Sequence, residues 1–103
     1  MHKRLTSLLI ATMTWGMMSS FSVSAAVVEV EVKKFKFTPA AITIHQGDTV
    51  KWVNKEKRQY HSVWFQELEP ETDYFFPDES YEKTFNEVGV FNYICGPHPK
   101  MTG

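Results

Sequence analysis

The run Cys95-Gly96-Pro97-His98-Pro99-Lys100-Met101 sets a thiol, an imidazole and a thioether at three-residue steps. One thiolate, two imidazoles and a weak thioether are the donor set of a copper centre that passes single electrons, because soft sulfur favours Cu(I) and imidazole accepts both oxidation states. The run holds one histidine of the two, and His61 upstream supplies the other. The five methionines fall at Met1, Met13, Met17, Met18 and Met101, so the body of the chain has one methionine and one cysteine with His98 midway between them. Taken singly, each residue has an ordinary structural use: a buried cysteine is an inert small hydrophobe and a methionine fills gaps. Their joint spacing carries the metal reading.

Export sharpens it. His2, Lys3 and Arg4 form a basic start, residues 5–18 are mostly apolar, and Val23-Ser24-Ala25 offers small residues at a cleavage point, the three parts of a secretory signal. Residues 1–25 are therefore expected to leave as a signal peptide, with cleavage near Ala25 and Ala26. The apolar run is shorter than the roughly 20 residues of a membrane span and contains Thr6, Ser7, Thr12 and Thr14, so no membrane insertion is expected after cleavage. The expected destination is the periplasm. Cysteines commonly pair under such oxidising conditions, and Cys95 has no partner in the chain. Metal ligation would hold it as a thiolate and shelter it from exchange.

The remaining residues, 26–103, suffice for one small domain, near the size at which an apolar core needs help from a metal or staple. With Lys3 and Arg4 removed, nine Lys and Arg face twelve Asp and Glu, a net charge of −3. That balance argues against a nucleic-acid partner. Glu67, Glu69, Glu71, Asp73, Asp78, Glu79 and Glu82 fall in a stretch without Lys or Arg, which reads either as a solvated loop or as an electrostatic docking surface.

The elements that must position the donors read as strands. Val28, Val30 and Val32 alternate with Glu29, Glu31 and Lys33, the period of a half-buried strand. Ile42 and Ile44 alternate with Thr43 and His45, Gly47-Asp48 offers a turn, and residues 49–54 return as a β-branched and aromatic strand, together a hairpin. This alternation puts His45 on the face opposite the isoleucines, exposed and not a ligand. Further short strands are expected at 61–66, 81–85 and 90–94, with Pro39, Pro70 and Pro77 between runs where a missing donor does no harm. No stretch after residue 26 has helical periodicity. The fold class is all-β, a two-sheet Greek-key sandwich.

Phe37-Thr38-Pro39, Ile42-Thr43-Ile44, Gly47-Asp48-Thr49-Val50, Trp52-Val53-Asn54 and Gly89-Val90-Phe91-Asn92-Tyr93-Ile94-Cys95-Gly96-Pro97-His98 together resemble the cupredoxins, the small type 1 blue-copper proteins. The two-residue gap from His98 to Met101 is similar to the short ligand loop of the amicyanins within that family, shorter than the plastocyanin and pseudoazurin loops. The resemblance implies one copper ion, with His61, Cys95 and His98 in a trigonal plane and Met101 as a long axial contact. It also implies that the backbone N–H of Ser62 serves the Cys95 sulfur. Two departures stand out. Where the family has Pro-His-Asn this chain has Tyr60-His61-Ser62, so the side-chain bond tying the two ligand loops must come from a hydroxyl or be absent. Relatives continue after the methionine into a final strand, which is missing after Gly103, and the domain is expected to be C-terminally truncated.

The implied function is a monomeric one-electron carrier between redox protein partners such as a cytochrome, dehydrogenase or oxidase. The alternative is a periplasmic copper-tolerance protein that binds or oxidises excess copper. An enzyme would need an open coordination position, which Met101 is expected to fill.

Overall fold

In the alternating valines Val30 and Val32 are fully buried while Lys33 is exposed, as one inward and one outward face require. This is strand β1, Val27–Lys33, in a computed structural model that describes residues 25–103. The expected signal peptide, apart from Ala25, lies outside the described residues. β1 turns into β2, Lys36–Thr38, and pairs with it antiparallel. Its other edge pairs in parallel with β3, Thr49–Asn54, and β3 pairs antiparallel with β4, Ser80–Thr84. The sheet order is β2-β1-β3-β4. The second sheet is the hairpin of β5, Ile94–Cys95, and β6, His98–Thr102. It is extended by the bridge of Trp64 to Ile94 and by paired backbone bonds between Tyr93 and Gly103.

The core lies between the sheets. Val30, Val32, Phe37, Val50 and Trp52 come from the first, Cys95 and Met101 from the hairpin, and Val63, Phe65 and Phe75 from the connections. Each fully buried valine is worth roughly 1.5–3 kcal/mol relative to exposure. Trp52 stacks on Tyr81 at 5.7 Å between ring centroids and donates its indole N–H to the Tyr93 hydroxyl at 3.0 Å, which satisfies a polar atom taken into the core.

Several local expectations differ. Residues 42–45 carry no strand pairing, although Gly47 does turn with φ 94°. Alternation supplies a face but not a partner, and a ladder needs both. Beside this segment runs a cleft of about 480 Å³, with Ile42, Ile44, Phe85, Phe91 and Gly103 among its lining residues. The stretch 61–66 forms no strand but two single bridges, His61 to Phe75 and Trp64 to Ile94, and the 90–94 strand shrinks to its last residue plus Cys95. β2 has no sequence signal, because its turn uses Lys34 and Phe35 at φ 56° and 55°, where glycine or asparagine is usual. The carboxylate of Glu56 accepts both of their backbone N–H groups, at 3.1 and 3.2 Å, and so steadies a turn that neither residue favours. Among the described residues no helix is long and apolar enough to cross a membrane.

Candidate metal centre

His61 follows the loop that leaves β3 and is held by two backbone bonds to Phe75, at 3.2 Å and 2.9 Å. Its side chain is fully buried, and its Nε2 meets Glu56 Oε2 at 3.0 Å. That bond fixes the ring so that Nδ1 faces inward. Cys95 ends β5 and is fully buried, and His98 opens β6 after Pro97. The Cys95 sulfur lies 3.5 Å from His61 Nδ1 and 3.5 Å from His98 Nδ1. One donor atom from each of the three falls within 4.8 Å of the others. The structure therefore brings together His61, Cys95 and His98 as expected, and buries Met101 in the same core cluster as Cys95.

Donors bound to one ion at about 2.0–2.3 Å in a trigonal plane stand about 3.5–3.8 Å apart, which matches the two sulfur-to-nitrogen distances. The donor chemistry, one sulfur and two imidazoles with a thioether close by in sequence, suits copper over hard oxygen-seeking cations. The residues fit the metal.

Electrostatics favour the uncharged forms of Cys95 and His61 before metal enters. Burial pushes the Cys95 thiol up, with the Glu71 charge adding to the rise, while the N–H groups of Ser62 and His98 work against it. Burial likewise pushes the His61 imidazole down, against the bond and charge of Glu56, and the neighbouring His98 acts in the same sense as burial. Cys95 would have to give up its thiol proton to serve as a copper ligand.

The ligand loops are also tied. Ser62 donates its backbone N–H to the Cys95 sulfur at 3.4 Å, and its hydroxyl accepts the N–H of Gly96 at 2.9 Å. The tie between the loops is thus made by a hydroxyl. His45 has a side chain 96 % exposed and is not a ligand. The expected acidic surface is partly engaged within the molecule: Glu69 pairs with Lys83 at 2.9 Å, Glu71 accepts the Ser62 hydroxyl, and Glu79 accepts the Phe76 N–H. Sequence reading gave Glu56 no role and Glu71 only a surface one. A carboxylate among charged neighbours has no pattern that marks it as turned inward.

The outer side of the site is aromatic. Phe35 meets the His98 ring edge-on at 4.8 Å, and Tyr60 stands 6.5 Å from it and packs on Tyr74 and Phe76. All four aromatics are exposed, Phe35 by 48 % and Phe76 by 50 %.

Residues 24–103 match the family of copper binding proteins described as the plastocyanin/azurin family. The chain is 40 % identical over 86 residues to the amicyanin of Paracoccus versutus, covering 79 % of this chain and 64 % of that protein. It is 35 % identical over 80 residues to amicyanin-alpha of Methylorubrum extorquens, covering 73 % and 66 % respectively. It thus spans just under two thirds of the length of these amicyanins. The crystal structure of Paracoccus versutus amicyanin superposes with a TM-score of 0.69 at 34 % identity, covering 82 % of each chain. The fold, the convergent donors and the match across the described residues agree: the chain belongs to the plastocyanin/azurin family of copper binding proteins.

Proposed function

We propose that the protein is a periplasmic one-electron carrier in which His61, Cys95 and His98 hold one copper ion and Met101 makes the weak axial contact. The observation that carries this reading is the Cys95 sulfur placed 3.5 Å from both histidine Nδ1 atoms, with His61 and Cys95 buried and His98 half-buried. Bound copper would supply the one-electron couple Cu(II)/Cu(I). The protein's part is to hold the donors still. His61 is fixed by Glu56 and Phe75, and Cys95 by the Ser62 N–H. Pro97 and Pro99 restrict the backbone on both sides of His98. A site whose ligands do not move between oxidation states changes charge with little reorganisation.

His98 is the donor nearest solvent, and its aromatic surround gives a redox protein an apolar face to meet. Met101 is buried, and an axial thioether contact from it would take the coordination position that an enzyme needs open. The test is to add Cu(II) to the metal-free protein and follow the visible thiolate-to-copper band. An intense band that bleaches and returns with one electron per protein supports the reading. A colourless complex, or a band that survives Cys95→Ser, overturns it.

A further inference from the structure

Glu71 Oε2 accepts the Ser62 hydroxyl at 2.7 Å, and the same hydroxyl accepts the Gly96 N–H at 2.9 Å. The hydroxyl has one proton, and a carboxylate can only accept. Glu71 therefore commits that proton, and leaves the oxygen lone pairs to the residue that follows Cys95. The Ser62 backbone N–H serves the Cys95 sulfur itself, so Ser62 holds both the thiol and the backbone N–H of the residue after it.

Two further observations show that this carboxylate is placed there by the fold. The neighbouring Thr72 accepts the Val63 N–H at 2.9 Å through its hydroxyl and donates its own N–H to the Val63 carbonyl, which lays residues 71–72 alongside 62–63. On the other side, a Cβ built on Gly96 would overlap the Glu71 carboxylate, so the carboxylate packs directly over the backbone of the residue after Cys95. An ordinary solvated glutamate would need neither arrangement.

We propose that Glu71 is a positioning residue for the copper site, acting through Ser62 on the Cys95–Gly96 backbone, and that its charge lowers the reduction potential. This rests on the copper reading above. A negative charge near the thiolate favours the more positive ion, Cu(II), and the half-buried Glu71 is less screened than a fully exposed carboxylate. The sequence run that holds Glu71 thus divides in two: this residue serves the metal, and exposed Glu67 makes none of these bonds.

Three variants test the proposal: Glu71→Gln keeps an oxygen acceptor and removes the charge, Glu71→Ala removes both, and Glu67→Gln removes a charge from the same run. In the metal-free protein, amide hydrogen exchange at Gly96 is expected to quicken roughly tenfold or more in Glu71→Ala and to stay near the parent rate in Glu71→Gln. In the copper-loaded protein, Glu71→Gln is expected to keep the visible band and raise the potential, and Glu67→Gln to raise it less. An unchanged or lower potential in Glu71→Gln, or an equal rise in Glu67→Gln, overturns the charge role. Unchanged Gly96 exchange in Glu71→Ala overturns the positioning role. The exchange experiment needs no metal, so its failure is separate from any failure of the parent protein to show the copper band.

Discussion

The Glu56 carboxylate joins Nε2 of the buried His61 at 3.0 Å while accepting the backbone N–H groups of Lys34 and Phe35. A single side chain thus links the β1–β2 turn to the orientation of a proposed metal donor. Burial works against its charge, but the N–H groups of Phe35 and Lys34, with His61, hold its pKa below the usual glutamate value.

Glu56→Ala should therefore damage two things together. The turn residues lose their acceptor, and hydrogen bonds to a charged group are worth about 1.5–3 kcal/mol. Denaturant unfolding of the metal-free protein is expected to show a loss in that range, and the copper-loaded variant a broadened visible band because the His61 ring is no longer fixed. A variant with parent stability and spectrum would show the bond to be incidental.

Met101→Gln should keep copper and lower its potential, because a harder oxygen donor favours Cu(II) over Cu(I). Voltammetry of the two proteins reads this directly. A rise would remove Met101 from the axial role.

Asp48 gives a pH dependence that needs no metal. The N–H groups of Ala26 and His45 hold its pKa below the model-peptide value, against the effect of burial, with the His45 charge a smaller help. A carboxyl depressed in the folded state contributes stability that is fully present above its unfolded pKa of about 3.9 and is lost as pH falls through the folded value. Asp48→Asn should lower stability at pH 7 and flatten the decline in stability below about pH 4. Parallel acid-unfolding curves for the two proteins would remove Asp48 from the acid response.

The exposed part of the acidic run offers the remaining test. Glu69, Glu71 and Glu79 have partners within the molecule, whereas Glu67, Asp73, Asp78 and Glu82 are exposed. Exposed charges act over about 8 Å at physiological salt. Converting these four to amides is expected to flatten the fall of the association rate with ionic strength for a cationic cytochrome. An unaltered salt slope would leave docking to the aromatic face around His98.

Much of this was legible in the residues. β1 and β3 carry one wet and one dry face, so Val30, Val32, Val50 and Trp52 announce themselves by period alone. The proposed donors His61, Cys95, His98 and Met101 stand out in the sequence because few side chains bind copper and, apart from His61, they lie close together. The β1–β2 turn was not, since Lys34 and Phe35 adopt a conformation that their side chains oppose, and the acceptor that compensates lies at Glu56, far along the chain. Glu71 was hidden for a related reason: its partners, Ser62 and Gly96, are remote in sequence, and only the folded chain brings them together.

The placement of the donors also divides the labour of assembly in time. Cys95, His98 and Met101 sit on one hairpin, so closing their loops costs little chain entropy, while His61 must cross from a distant segment whose closure is dearer. Metal meeting an unfolded chain would encounter the hairpin donors as a local trap, and the blue colour would wait for His61 to dock. Colour development in a refolding experiment would then clock the long-range closure of the sandwich, and aromatic fluorescence would clock the collapse of the core around Trp52.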